Sequence, residues 1–285
     1  MNPLLFRPKK FSPRAGRAKK GPPMDTFDHH ISRAAEADKA NEYLFQVLDI
    51  GQAMLQSGGE VSRVEDSIRR LCAAFGAERA DVFTITSSIV VTIYAHRFGA
   101  VTQTRRITGT QYDLHRLELL NQLSRRICAE HLTPEETGRA LAAIQAAPQY
   151  SFGTQLLSYA LISASFAIFF GGSALDAVAS GVIGVVLKYL DRIIRHTEAN
   201  AFLSALLCSC LGGLLAGLAV RCGLGEHADI ISIGNIMLLI PGIALTNSLR
   251  DMFSGNTISG LMRFIEAVLL ALVIACGFAL VAGLL

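Results

Sequence analysis

The chain has 285 residues, 51% of them hydrophobic, with a mean hydropathy of +0.41 and a formal net charge of +3. Those averages join two unlike halves. Residues 1 to about 147 hold most of the charge, whereas long stretches of the remainder hold none. So small a net charge makes no case for a nucleic-acid partner, and six scattered cysteines make none for a disulfide framework or a metal centre; they read as small apolar fillers.

Residues 1–30 come first. Arg7, Lys9, Lys10, Arg14, Arg17, Lys19 and Lys20 stand among the first twenty residues with no acid and no apolar core after them. That is not the pattern of a signal peptide. It predicts a disordered basic tail, solvated or resting on anionic headgroups.

A small α+β domain is expected over residues 31–148. Leu44, Val47, Leu48, Gly51 and Leu55 make one helical stripe, ended by Ser57-Gly58-Gly59. Val61, Val64, Ile68, Leu71 and Phe75 make the next. Its other face, with Ser62, Arg63, Glu65, Asp66, Arg69 and Arg70, reads as solvated. The period then changes to two in 81–86, 89–94 and 101–107, which are rich in β-branched residues, and predicts a three-stranded antiparallel sheet. A helix is expected at about 111–131. Thr133-Pro134-Glu135-Glu136 then has the cap, first-turn proline and third-position glutamate of a helix start. Ser57, Ser62, His96, Asp113 and His115 are the residue types of a hydrolytic set, but no nucleophile, phosphate-binding or metalloprotease motif organises them. No enzyme activity and no cofactor is expected.

Residues 149–285 predict an all-α transmembrane domain. Ala140–Leu175, Ala199–Val220, Ile230–Leu249 and Ala267–Leu285 contain no Asp, Glu, Lys or Arg, and each can supply the roughly 20 apolar residues of a spanning helix. Ala177–Leu187, between Asp176 and Lys188, is a shorter candidate. The expected spans are about 152–173, 174–190, 200–220, 229–249 and 265–284, a five-helix bundle. Lys188, Arg192, Arg195, Arg250 and Arg263 fall in the loops on one side and only Arg221 on the other. The positive-inside rule then makes the α+β domain cytoplasmic and the C-terminus periplasmic or external, in the inner (plasma) membrane.

The fourth span carries the chemistry. Asn235 through Ile240 run apolar after the first residue. Pro241-Gly242 then break the helix, and Thr246, Asn247, Arg250 and Asp251 follow. Pro241 has no N–H for the carbonyl of Met237, and a backbone left open in lipid survives only against protein or a wet cavity. A packing kink is the plain alternative. Were the helix to restart after Gly242, its first N–H groups would favour a carboxylate, and the carbonyls freed near Met237 and Leu238 an ammonium group or cation. Thr246 and Asn247 offer hydroxyl and amide groups. Asn235 would share the face of Gly242 in a continuous helix. Arg250 is a candidate carboxylate ligand or an interfacial anchor, and Asp251 a partner for it or for Arg263. The candidate substrate-binding residues are therefore Asn235, Pro241, Gly242, Thr246, Asn247, Arg250 and Asp251. Asp176 and Glu266, near the ends of spans two and five, are candidate ion-coupling groups, with simple interface placement as the alternative.

Two stretches resemble one family. Ser57-Gly-Gly-Glu-Val-Ser-Arg-Val-Glu-Asp66 is similar to the signature opening the cytoplasmic domain of the threonine/serine exporter family. Pro241 to Asp251, then Ser254-Gly-Asn256 and Ser259-Gly-Leu-Met-Arg263, resemble its membrane signature. The resemblance runs from about residue 42 to 285. It implies export of threonine and serine on the proton gradient, or of small dicarboxylates such as succinate in split members. Full-length members have about ten spans, so the resemblance implies the larger half of a split exporter, completed by a separate five-span membrane protein; a homo-oligomer is the alternative. Two other readings stay open. One is a membrane-anchored regulatory or hydrolytic domain; the other is an assembly subunit for a partner that carries the whole pathway.

Overall fold

A computed structural model describes residues 24–148, 150–196 and 200–283. Helix α1, Met24–Gln56, starts inside the stretch read as tail; residues 1–23 lie outside the described residues. Helix α2, Val61–Ala74, buries Val61, Val64, Ile68, Leu71 and Cys72, the stripe its spacing requires. Strands β1, Arg79–Ile85, β2, Ser88–Ala95, and β3, Gly99–Arg106, form an antiparallel sheet in the order β1-β2-β3. Val82 pairs with Val91, and Val91 with Gln103. Strand alternation sends Ile89, Val91 and Ile93 inward onto α1 and α2, where they are buried with Leu44, Leu48, Leu55 and Ile68. Gly51 permits this approach, since a Cβ there would lie 2.8 Å from the Ile68 side chain.

Helix α3, Leu114–Glu130, ends at His131, which takes the left-handed conformation (φ 52°). Helix α4, Pro134–Ala146, opens with the capping box: the Glu136 N–H donates to Thr133 Oγ1, and the Thr133 N–H to Glu136 Oε2 at 2.9 Å.

Six more helices follow among the described residues: α5, Phe152–Phe169; α6, Ala174–His196; α7, Ala201–Arg221; α8, Ala228–Leu239; α9, Gly242–Phe253; and α10, Thr257–Ala282. By length and composition α5, α7 and α10 can each cross a membrane, and α8 with α9 passes the same test as a pair bent by 52°. Small residues set the packing. Gly181 and Gly184 lay α6 on the carbonyls of Ala160 and Tyr159 in α5. Gly213 and Gly277 lay α7 against α10. α10 starts eight residues before the expected span, so Arg263 and Glu266 lie well inside a helix. Cys72 and Cys208 are buried as fillers, but Cys222 and Cys276 are exposed.

Candidate functional site

The helix break comes first. Pro241 sits at φ −79°, ψ 60°, and the Gly242 N–H donates to the Ile240 carbonyl at 2.8 Å, an inverse γ-turn. Helix α9 restarts at once, and among the described residues no side chain caps it, so its first-turn N–H groups have no partner within the helix. This end lines a cavity of about 530 Å³. Gly242, Thr246, Asn247 and Arg250 form one wall. Gly58, Gly59, Glu60 and Arg63 form the facing wall, and Leu114, Leu117 and Asn121 of α3 close it.

The two motif stretches therefore meet. Asn247 Nδ2 donates to the Gly58 carbonyl at 3.2 Å, and Arg250 Nη1 pairs with Glu60 Oε1. Thr246 donates its hydroxyl back to the Gly242 carbonyl (3.0 Å) and keeps its lone pairs for the cavity. Behind this wall Asp251 is fully buried. Its Oδ1 accepts the Val61 N–H at 3.1 Å, across 190 residues of sequence, and its Oδ2 lies 3.2 Å from Arg263 Nη1. Arg263, 8% exposed, also donates to the Gly59 carbonyl at 3.3 Å. Helix α2 has no cap of its own at Glu60. Asp251 supplies a negative charge at that positive end, and Arg263 balances it. Of the two partners open to Asp251, the fold gives it Arg263 and gives Arg250 to Glu60.

Two glycines let the α1–α2 loop into this position. Gly58 has φ +92°, and a Cβ there would meet the Tyr112 ring at 2.5 Å. A Cβ on Gly59 would come within 2.9 Å of the Met54 carbonyl. Burial pushes the Tyr112 phenol above its ordinary pKa, with Arg263 opposing.

Asn235 is not on the cavity wall. It is fully buried among α5, α6 and α8, where Nδ2 donates to Ser180 Oγ (3.3 Å) and the Ile231 carbonyl (2.9 Å). Ser180 in turn donates to the Ser163 carbonyl at 3.1 Å. Asn235 Oδ1 and Ser163 Oγ are buried with no partner among the described residues. Asp176 is fully buried at the opposite end of the helices from the α+β domain. Its Oδ1 accepts the N–H groups of Glu226 (2.7 Å) and His227 (3.0 Å). Its Oδ2 accepts from Ser173 N–H (3.0 Å) and hydroxyl (3.2 Å) and lies 2.9 Å from His227 Nδ1. Asp176 thus ties the loop entering α8 to the start of α6. Its hydrogen bond holds the His227 imidazole above its ordinary pKa. Glu266 is exposed on α10.

Sequence reasoning missed Glu60, Arg63 and His227 as site residues. The charges of Glu60 and Arg63 complement those of Arg250 and Asp251, a signal visible only once the two stretches are taken as partners. The hydrolytic set does not assemble. The Asp113 side chain caps α3, and His96 contacts Glu78 and Tyr94. A more open cleft of about 1260 Å³, between α3–α4 and the near ends of α5 and α6, holds none of the substrate-binding candidates.

Comparison with known proteins covers both stretches. The family described as "Putative threonine/serine exporter" (ThrE) matches residues 46–285. The chain is 26% identical over 247 residues to the "Probable succinate transporter subunit YjjP" of Klebsiella aerogenes, covering 85% of this chain and 94% of that one. It is 26% identical over 235 residues to the protein of the same name from Escherichia coli K12, covering 81% and 90%. To the "Threonine/serine exporter" of Corynebacterium glutamicum it is 24% identical over 227 residues, 77% of this chain but only 46% of that longer one. No solved structure matches. A match over residues 46–285, most of the α+β domain and every helix after it, shows that this membrane protein belongs to the threonine/serine exporter family.

Proposed function

We propose that the chain is one subunit of a secondary exporter of small, polar, carboxylate-bearing metabolites, threonine/serine-type amino acids or dicarboxylates such as succinate. One observation carries this: stretches some 190 residues apart close a single cavity onto the uncapped N-terminus of α9. A helix N-terminus beside guanidinium groups suits a carboxylate, and Thr246 and Asn247 suit the polar remainder of the cargo. An anchor would need neither the break nor the docked domain.

In this reading α8 and α9 are one broken span among five, the α+β domain is cytoplasmic and closes the inner end of the pathway, and the C-terminus lies outside the inner membrane. Pro241 and Gly242 shape the site, Arg250 orients the cargo, and Asp251 locks the domain in place. Asn235 serves as a polar support within the bundle. Asp176, with Glu266 on α10, is the group that couples transport to an ion. The relatives named as transporter subunits support a second membrane protein as partner, and five spans suit one that supplies the other five.

The test is efflux from cells lacking this gene, preloaded in parallel with threonine or serine as dipeptides and with succinate. Cells would receive this chain alone or with its five-span partner. Faster efflux of one class only with both proteins is the expected result. No change for either class, with both proteins in the membrane, refutes the proposal.

A further inference from the structure

We infer that Glu60 is a resident carboxylate that holds Arg63 and Arg250 on the cavity wall and must be displaced by the carboxylate of the cargo. The inference rests on the cavity being the cargo site. Glu60 Oε2 lies 3.2 Å from Arg63 Nε, and its Oε1 pairs with Arg250 Nη1. One acid thus bridges two guanidiniums, one from each side of the domain junction, on the wall of the cavity that holds the α9 N-terminus. The Glu60 side chain is 12% exposed, whereas those of Arg63 and Arg250 are 76% and 52% exposed. Ion pairs made by such exposed guanidiniums are weak in water and exchange readily. Junction docking does not need this pair, because Asp251 and Arg263 hold it from behind.

The consequence is a specificity rule. With Glu60 in place, two guanidiniums and one carboxylate leave a single positive charge, augmented by the helix end. With Glu60 displaced, the same wall presents two guanidiniums and suits a second carboxylate. A ligand with two carboxylates competes with Glu60 best, and a zwitterion gains less.

Succinate and threonine would be titrated separately into the purified full-length chain in detergent by calorimetry. Glu60→Gln removes the competitor, so its Kd for succinate is expected to fall at least tenfold, and its Kd for threonine by less. Glu60→Asp, which keeps the charge, is expected to stay within about threefold of wild type. Adding Arg250→Gln to Glu60→Gln should abolish the gain. If wild type binds succinate and Glu60→Gln binds it no better, the inference fails while the cavity reading stands. If neither protein binds either compound, the cavity reading fails and takes the inference with it.

Discussion

Replacing Asp251 by alanine tests the junction between the α+β domain and the broken helix. The side chain is fully buried, and Arg263 beside it is 8% exposed. The substitution strands a guanidinium in that interior with the Gly59 carbonyl as its remaining acceptor at the junction, and it uncaps α2 at Val61. Breaking a buried pair from one side costs about 3–5 kcal/mol. Loss of a helix cap alone costs about 0.5–2 kcal/mol, and because the same carboxylate does both, the two figures overlap rather than add. At roughly 2–4 °C per kcal/mol, the expected fall in melting temperature is about 6–20 °C. Cys72 offers a readout, because burial pushes its thiol up to about 12 and keeps it unreactive until the domain opens. Thermal unfolding followed by a thiol-reactive dye would compare wild type, Asp251→Ala, Arg263→Met and the double variant. The double variant should lose much less than the sum of the two single losses, since it removes both buried charges. Additive losses, or an Asp251→Ala melting temperature within a degree of wild type, would refute the clasp.

Three further results are expected. Thr246→Val and Asn247→Ala should each slow efflux about five- to tenfold, the equivalent of one hydrogen bond, at unchanged membrane level; undiminished efflux would remove both from the cargo site. The hydrogen bond to Asp176 raises the pKa of His227 above 6.5, so its contribution is fully present below about 6.5 and is lost as pH rises through the higher folded value. Hydrogen exchange over residues 222–231, corrected for intrinsic rate, should therefore quicken at alkaline pH in wild type and show no such step in His227→Gln; Asp176, Glu226 and Asp229 are the charges acting on that ring. Gly277→Ala would place a Cβ 1.9 Å from Ser209 Oγ at the α7–α10 crossing and should cost about 1–3 kcal/mol by overpacking, read as a lower melting temperature; an unchanged melt would mean the two helices separate without cost.

Much of the fold was legible because its causes are local. The α2 stripe, the Thr133–Glu136 capping box and the alternation of the three strands each follow from residues within a turn or two of one another. The break at Pro241 was legible for the same reason: a missing N–H acts on the next turn wherever the helix sits. Asn235 shows where such reasoning stops. Seven residues before Gly242, it shares that glycine's face only in a continuous helix. The γ-turn and the 52° bend change the phase, and Asn235 ends in the bundle instead of the cavity.

The sequence by itself determined most of the helical segments, four of the five stretches expected to be apolar and long enough for a membrane, and the helix break at Pro241. Tertiary structure alone decided which charges meet. Arg250 and Arg263 are both within reach of Asp251 along the chain, yet one is held by Glu60 and the other by Asp251. Linear spacing sets contacts within an element, but pairing across 190 residues depends on how α9 and α10 dock against the α1–α2 loop. The bonds that make that docking, from Val61 to Asp251, Asn247 to Gly58 and Arg263 to Gly59, join residues too far apart in the chain for any local pattern to encode.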